Sequence, residues 1–133
     1  MSKLEEKVVT LLQKDDLFFR REKRFSDLKG GKYRFDFEVY VDGAPSLLEV
    51  QGQQHYQMTP RFHKKRSDFT AAQERDRCKI SYALSHNIPL YIIPYWELEY
   101  IHSARALFSQ KYRATNRWKN DLDWLHYQNL TKR

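Results

Sequence analysis

YRFDFEVYVDGAPSLLEVQGQQHY, residues 33 to 56, sets the fold through its alternation and points to chemistry through its exceptions. Phe35, Phe37, Val39 and Val41 fall on one side of a period-two strand, and Arg34, Asp36, Glu38 and Tyr40 on the other. DGAP supplies turn residues and SLLEVQ returns, which predicts a β-hairpin with a loop of about four residues. Asp36 and Glu49 stand where a sheet ordinarily carries Val or Ile. Two carboxylates brought together at one end of a hairpin repel, and an unpaired buried charge is costly. A divalent cation removes that conflict. Mg²⁺ takes oxygen ligands in near-octahedral geometry, with one or two carboxylates beside waters and phosphate. The Val50 backbone carbonyl is a further hard donor between Glu49 and Gln51. Beyond it, Gly52 lets a phosphate backbone approach closely, and His55 titrates near neutrality as a general acid or base. The same carboxylates also fit a wet strand face, paired with Arg34 or nearby lysines.

The elements around the hairpin read as an α/β chain. Leu4, Val8, Leu11 and Leu12 make one apolar face of a helix over residues 3 to 14, with Ser2 at its N-cap and Glu5 three positions on. Glu5 lies at the edge of that stripe and Glu6 points away from it. A short basic and aromatic strand follows and ends in a turn at Gly30 and Gly31. YQMTPRFHKKRSD, residues 56 to 68, is irregular and basic. A second helix is predicted over 69 to 86, with Asn87 as its stop. IPLYIIPYW, from residue 88, has the apolar and β-branched character of a buried strand. Residues 97 to 110 and 116 to 130 are predicted helical. A mixed sheet flanked by helices would bury this pattern, with residues 1–98 as the core and 99–133 as a helical extension packed on it, in one domain.

No apolar run approaches the ~20 residues that span a bilayer, and MSKLEEKVV has no apolar core of a secretory signal. Cys78 is the sole cysteine, which excludes an internal disulfide and suits a reducing cytoplasm. Twenty-four Lys and Arg against seventeen Asp and Glu leave a net charge of +7, which favours a polyanionic partner through counterion release.

Taken in order, these pieces resemble a known nuclease signature. Asp36 followed by Glu49-Val50-Gln51 is similar to the PD-(D/E)xK motif, in which an Asp precedes a Glu-x-Lys on the next strand. More closely, the chain resembles the Vsr-like branch of that superfamily (very-short-patch-repair and phage homing endonucleases). Five stretches carry the likeness: Glu5, FDF at 35 to 37, LEVQGQQHY at 48 to 56, RDRCK at 75 to 79 and IPLYIIPYWEL at 88 to 98. The likeness implies a restriction-endonuclease-like core and Mg²⁺- or Mn²⁺-dependent hydrolysis of DNA phosphodiesters. It implies Asp36, Glu49 and the Val50 carbonyl as metal ligands, with His55 as the proton-transfer group. Asp76 would orient His55 or complete the site, and Glu5 would reach in from the first helix. Gln51 stands where the motif has Lys and the Vsr-like form has Asp; it can position water but brings no charge. Residues 99 to 133 lie beyond the signature.

The basic stretches are read as backbone contacts. Arg61, His63, Lys64, Lys65 and Arg66 follow the site directly, and Lys79 sits one helical turn from Asp76. Lys111, Arg113 and Arg117 mix with Tyr and Trp, which suits phosphate pairing and stacking. The expected protein is a DNA endonuclease acting in a bacterial or phage-infected cytoplasm, dimeric if it cuts both strands, with structure-specific or homing-type cleavage. The alternative is a nucleic-acid-binding module that keeps the scaffold without catalysis.

Overall fold

Helix α1 (Lys3–Lys14) begins at the predicted cap: the Glu5 N–H donates to Ser2 Oγ at 3.1 Å and the Ser2 hydroxyl donates back to the Glu5 carboxylate. The computed structural model describes residues 1–52 and 66–115, with the backbone alone for 66–70. After α1 come β1 (Phe19–Arg24), a 3₁₀ turn at Lys29–Gly31, and the hairpin strands β2 (Arg34–Val41) and β3 (Ala44–Gln51). Then follow α2 (Arg66–Ser85), β4 (Leu90–Pro94), the single-turn helices α3 (Tyr95–Leu98) and α4 (Ala104–Leu107), and a 3₁₀ turn at Gln110–Tyr112.

The four strands form one mixed sheet in the order β1-β2-β3-β4, antiparallel except for the parallel β3–β4 pair that α2 connects. Helices cover both faces. Val8, Leu11 and Leu12 of α1, with Ala104 and Leu107 of α4, pack on Phe37, Val39, Leu48, Val50 and Ile93. On the other face, Ile80 and Ala83 of α2 pack on Phe35, Leu47, Leu90 and Ile92. LYIIP is buried at every position, as its apolar run predicts. β1 is an edge strand with the sequence FRREKR, and its mostly exposed charges discourage edge-to-edge pairing.

The α2 stop is as expected. Asn87 takes φ 56°, the Ile88 N–H reaches back to the Ala83 carbonyl, and the Asn87 N–H reaches the Leu84 carbonyl, a Schellman closure. Among the described residues no helix is long and apolar enough to cross a membrane.

Three expectations are corrected. The hairpin loop is two residues, not four: Val41 pairs with Ala44, and Asp42 and Gly43 turn at φ 52° and 80°, the left-handed pair that Asp-Gly favours. Pro45 is therefore inside β3, tolerated because pairing with β4 begins only at Leu47. Second, Phe35 and Phe37 do not share a face; Phe35 joins the α2 side and Phe37 the α1 side. The alternation breaks at Asp36, where the regular β2–β3 register has already ended at the Phe37–Leu48 pair. Third, residues 97 to 110 are not one helix. Ser103 is extended and caps α4 by accepting the Ala106 N–H, while Asp15 from the end of α1 accepts the Ala104 N–H at 3.2 Å. Those caps and burial of Ile101 outweigh local helix propensity. The helix expected over 116 to 130 lies outside the described residues.

Candidate functional site

The broken ladder at the open end of the hairpin builds the site. Past the Phe37–Leu48 pair, the Val50 N–H donates to Asp36 Oδ2 at 2.9 Å, so a side-chain carboxylate takes the place of a strand carbonyl. Asp36 is half-buried and Glu49 is buried, and the two carboxyls are near enough to act on each other's proton affinity. Burial raises the Asp36 pKa above its usual value, against the Val50 N–H and Lys79, while Glu5 adds to the rise. Burial, and then the charge of Asp36, push Glu49 well above the usual carboxylate range.

Lys79 is the cation of this cluster. It rises from α2 to form an ion pair with Glu49, and its ammonium lies 5.3 Å from the centre of the Phe35 ring. Burial by itself would lower the Lys79 pKa. The surrounding carboxylates, Glu49 first and then Asp76 and Asp36, outweigh it and hold the group above its usual value. The flip of Phe35 onto the α2 face thus gives Lys79 a floor, and the ladder break frees Asp36 to face Glu49.

These groups open into a cleft of about 800 Å³, lined by Glu5, Asp36, Glu49, Val50, Gly52 and Lys79 on its inner wall. Glu5 reaches the cleft from α1 as its position at the edge of the apolar stripe implies, and it is held by Arg21 at 3.3 Å. Glu6 is exposed. Asp76 is buried one turn before Lys79 and acts on the cluster through its charge, without lining the cleft. Gln51 is 1% exposed and does not line the cleft, although both its neighbours do. A buried Gln aligned with Pro94 of β4 belongs to the sheet interior, and the cation beside Glu49 comes from α2.

Other predicted contacts lie elsewhere. Lys111 is drawn to Glu97, which is wholly buried and also accepts the Tyr112 hydroxyl at 2.8 Å. Arg113 stacks over Tyr91 and bridges to it across the outer edge of β4. Neither lines the cleft. His55, Arg61, His63, Lys64, Lys65 and Arg117 lie outside the described residues, as does the side chain of Arg66. Among the described residues no group of three or more His, Cys, Asp or Glu is placed to hold a metal ion; the Asp36–Glu49 pair, with a main-chain oxygen, is a smaller donor set.

Sequence reasoning missed the rim. Arg24, Lys32, Tyr33, Arg34, Arg75 and Tyr95 also line the cleft. RREKR reads as an ordinary wet strand, and only the Gly30-Gly31 turn, which folds β1 back beside β2, hints that its last arginine faces the same opening.

No family model matches the sequence, and no solved structure matches it. Among curated proteins, the chain is similar to the uncharacterized protein 307L of Invertebrate iridescent virus 6, with 31% identity over 67 residues. That match covers 50% of this chain and 34% of the viral protein, so the chain spans about a third of the length of the relative it matches.

Proposed function

We propose that the chain is a metal-dependent DNA endonuclease with a restriction-endonuclease-like core, of the PD-(D/E)xK type and nearest the Vsr-like branch. The observation that carries this reading is the meeting of Asp36 and Glu49 at the splayed end of the hairpin, inside a basic-rimmed cleft, with Lys79 on Glu49. Asp36 and Glu49 fit a divalent cation because burial disfavours the charge of both and the Asp36 charge raises Glu49 further, a cost that a bound dication offsets. A strand residue directs its N–H and C=O to the same edge, so the Val50 carbonyl faces the gap into which its N–H donates. Mg²⁺ or Mn²⁺ held by Asp36, Glu49 and the Val50 carbonyl would polarise a phosphate oxygen and lower the pKa of water.

The chain's own groups divide the remaining work. Lys79 carries the positive charge beside Glu49, answering the neutral Gln51, and is placed to meet charge developing on a phosphate. Glu5 adds a carboxylate to the cleft from α1, as a candidate acceptor for the proton of attacking water. Gly52 leaves room for a backbone to approach. His55 as proton-transfer group, Arg61 to Arg66 as phosphate contacts and a dimer for double-strand cutting complete the proposal.

The test is a panel of linear, nicked, flapped and four-way-junction DNA incubated with Mg²⁺, Mn²⁺ or chelator. Metal-dependent cleavage that Asp36→Asn removes supports the reading; cleavage that persists in that variant or in chelator overturns it. The buried, uncharged Gln51 favours a second reading, a nucleic-acid-binding module without turnover. It predicts salt-sensitive binding with no cleavage under any metal.

A further inference from the structure

The rim of the cleft is built differently from its floor. Of its cations, Arg34 is paired with Glu22. Arg24 is not. Its Nη1 donates to the main-chain carbonyls of Gly31 at 2.7 Å and Lys32 at 3.1 Å, so the guanidinium is held in place by neutral acceptors and keeps its full charge. The carbonyls belong to the turn in which Gly30 and Gly31 take φ 63° and 82°, a path that returns the chain directly over Arg24. Lys32, next along, is exposed, and among the described residues it meets no carboxylate. The Arg75 guanidinium of α2 lies 5.9 Å from the centre of the Tyr33 ring, and its contact there is also with a neutral partner. Three cations that meet no carboxylate among the described residues thus face one opening together with two half-buried tyrosines, Tyr33 and Tyr95.

A pre-positioned cation without a counter-ion is a seat for phosphate. Aromatic and guanidinium planes beside such cations suit exposed bases, because stacking needs a base face that a duplex keeps covered. Tyr33 sits between Lys32 and Arg34, two positions from Phe35 and three from Asp36, so a strand on the rim would lead directly to the carboxylates. We infer that the rim formed by Arg24, Lys32, Tyr33 and Arg75 binds an unpaired DNA strand and delivers it to the Asp36–Glu49 cleft, which makes flaps, overhangs or single-stranded segments the substrate class. The inference rests on the nuclease reading for what happens after binding, but binding itself is separable.

The experiment measures fluorescence anisotropy of labelled oligodeoxynucleotides in chelator, where nothing is cut, using the full chain. Single-stranded and flapped DNA are expected to bind roughly tenfold more tightly than duplex of the same sequence. Tyr33→Ala removes most of that preference. Tyr33→Phe, which keeps the ring and its packing, retains it. The exposed double variant Arg24→Gln/Lys32→Gln weakens binding to every DNA and lowers the salt slope by about two counterions. Equal affinity for duplex and single strand overturns the inference, as does an unchanged salt slope in the double variant with its circular dichroism intact. The single-strand preference without cleavage in Mg²⁺ or Mn²⁺ leaves the rim site standing and removes the nuclease. Metal-dependent cleavage with no such preference does the reverse.

Discussion

At the level of single residues, the competing demands on Asp36 define what it does. Its carboxylate completes the hairpin by accepting the Val50 N–H, yet it faces Glu49 in a buried setting that penalises both charges. Asp36→Asn keeps an acceptor for Val50 and removes a charge that burial disfavours and that raises Glu49. The variant is expected to gain about 0.5 to 1 kcal/mol at pH 7 while losing more than a hundredfold in cleavage, a trade seen where function requires strain. Paired urea melts and cleavage rates check it; a destabilised variant would show that the buried Asp36 charge is no burden on the fold. The pH dependence follows in sign. Asp36 and Glu49 have raised pKa values, so the folded state holds their protons more tightly than the unfolded chain does. Their contribution is full below the usual 3.8 and 4.5 and is lost as pH rises through the raised values. The advantage of Asp36→Asn should therefore grow from pH 4 toward neutrality, read by melts of both proteins across that range. Lys79, raised above its usual 10.5, contributes below that value and loses its contribution as pH climbs past it.

Among the elements, the ends matter more than the middles. α2 must stop and reverse so that Leu90 can enter beside Leu47, and Asn87 at φ 56° is the residue that turns it. Asn87→Ala forces a side chain with a poor left-handed preference into that conformation and should cost about 1 kcal/mol, whereas Asn87→Gly should be neutral or stabilising. Denaturant midpoints at unchanged slope would show it. Lys79 reaches Glu49 only if α2 keeps this register, so the same cap indirectly places the cation. Farther along, Glu97 anchors the segment that borders β4. It is wholly buried, bound to Tyr112 and Lys111, and Ala114 then donates its N–H to the Leu90 carbonyl. Glu97→Ala leaves that cluster without its centre and should cost about 3 to 5 kcal/mol. Hydrogen exchange should locate the loss at the Ala114 amide before the β2–β3 ladder; loss of both together would deny Glu97 a local role.

For the molecule as a whole, the sheet acts as the frame that brings α1, the hairpin and α2 to one opening. Glu5, Asp36, Glu49 and Lys79 come from four elements, α1, β2, β3 and α2, and no two of them but the hairpin pair are near in sequence. Such a site couples to global stability through anything that binds only the folded state. Mg²⁺ or Mn²⁺ well above its dissociation constant should raise the melting temperature by roughly 5 °C. The rise should vanish in Asp36→Asn, by differential scanning calorimetry in matched ionic strength with Na⁺ as the control. An equal rise in the variant would assign the effect to general screening, not to this cleft.

Much of this was already legible along the chain. Local patterns carry local outcomes: the Ser2–Glu5 cap, the Leu4–Leu12 stripe, the buried LYIIP strand and the Asn87 stop depend on neighbours a few positions away. The approach of Asp36 to Glu49 is partly of this kind: the turn at Asp42 and Gly43 sets the two strands in register, and the break past Phe37–Leu48 then lets the Asp36 carboxylate turn in to accept the Val50 N–H. Three features depended on partners remote in sequence. The side on which Phe35 packs, the ion pair of Lys79 with Glu49, and the rim of Arg24, Lys32 and Arg75 follow from α2 crossing one face of the sheet and α1 the other. Periodicity reports which residues share a face of one element; which charges share a cleft is settled only when the packed layers bring separate elements within a few ångströms.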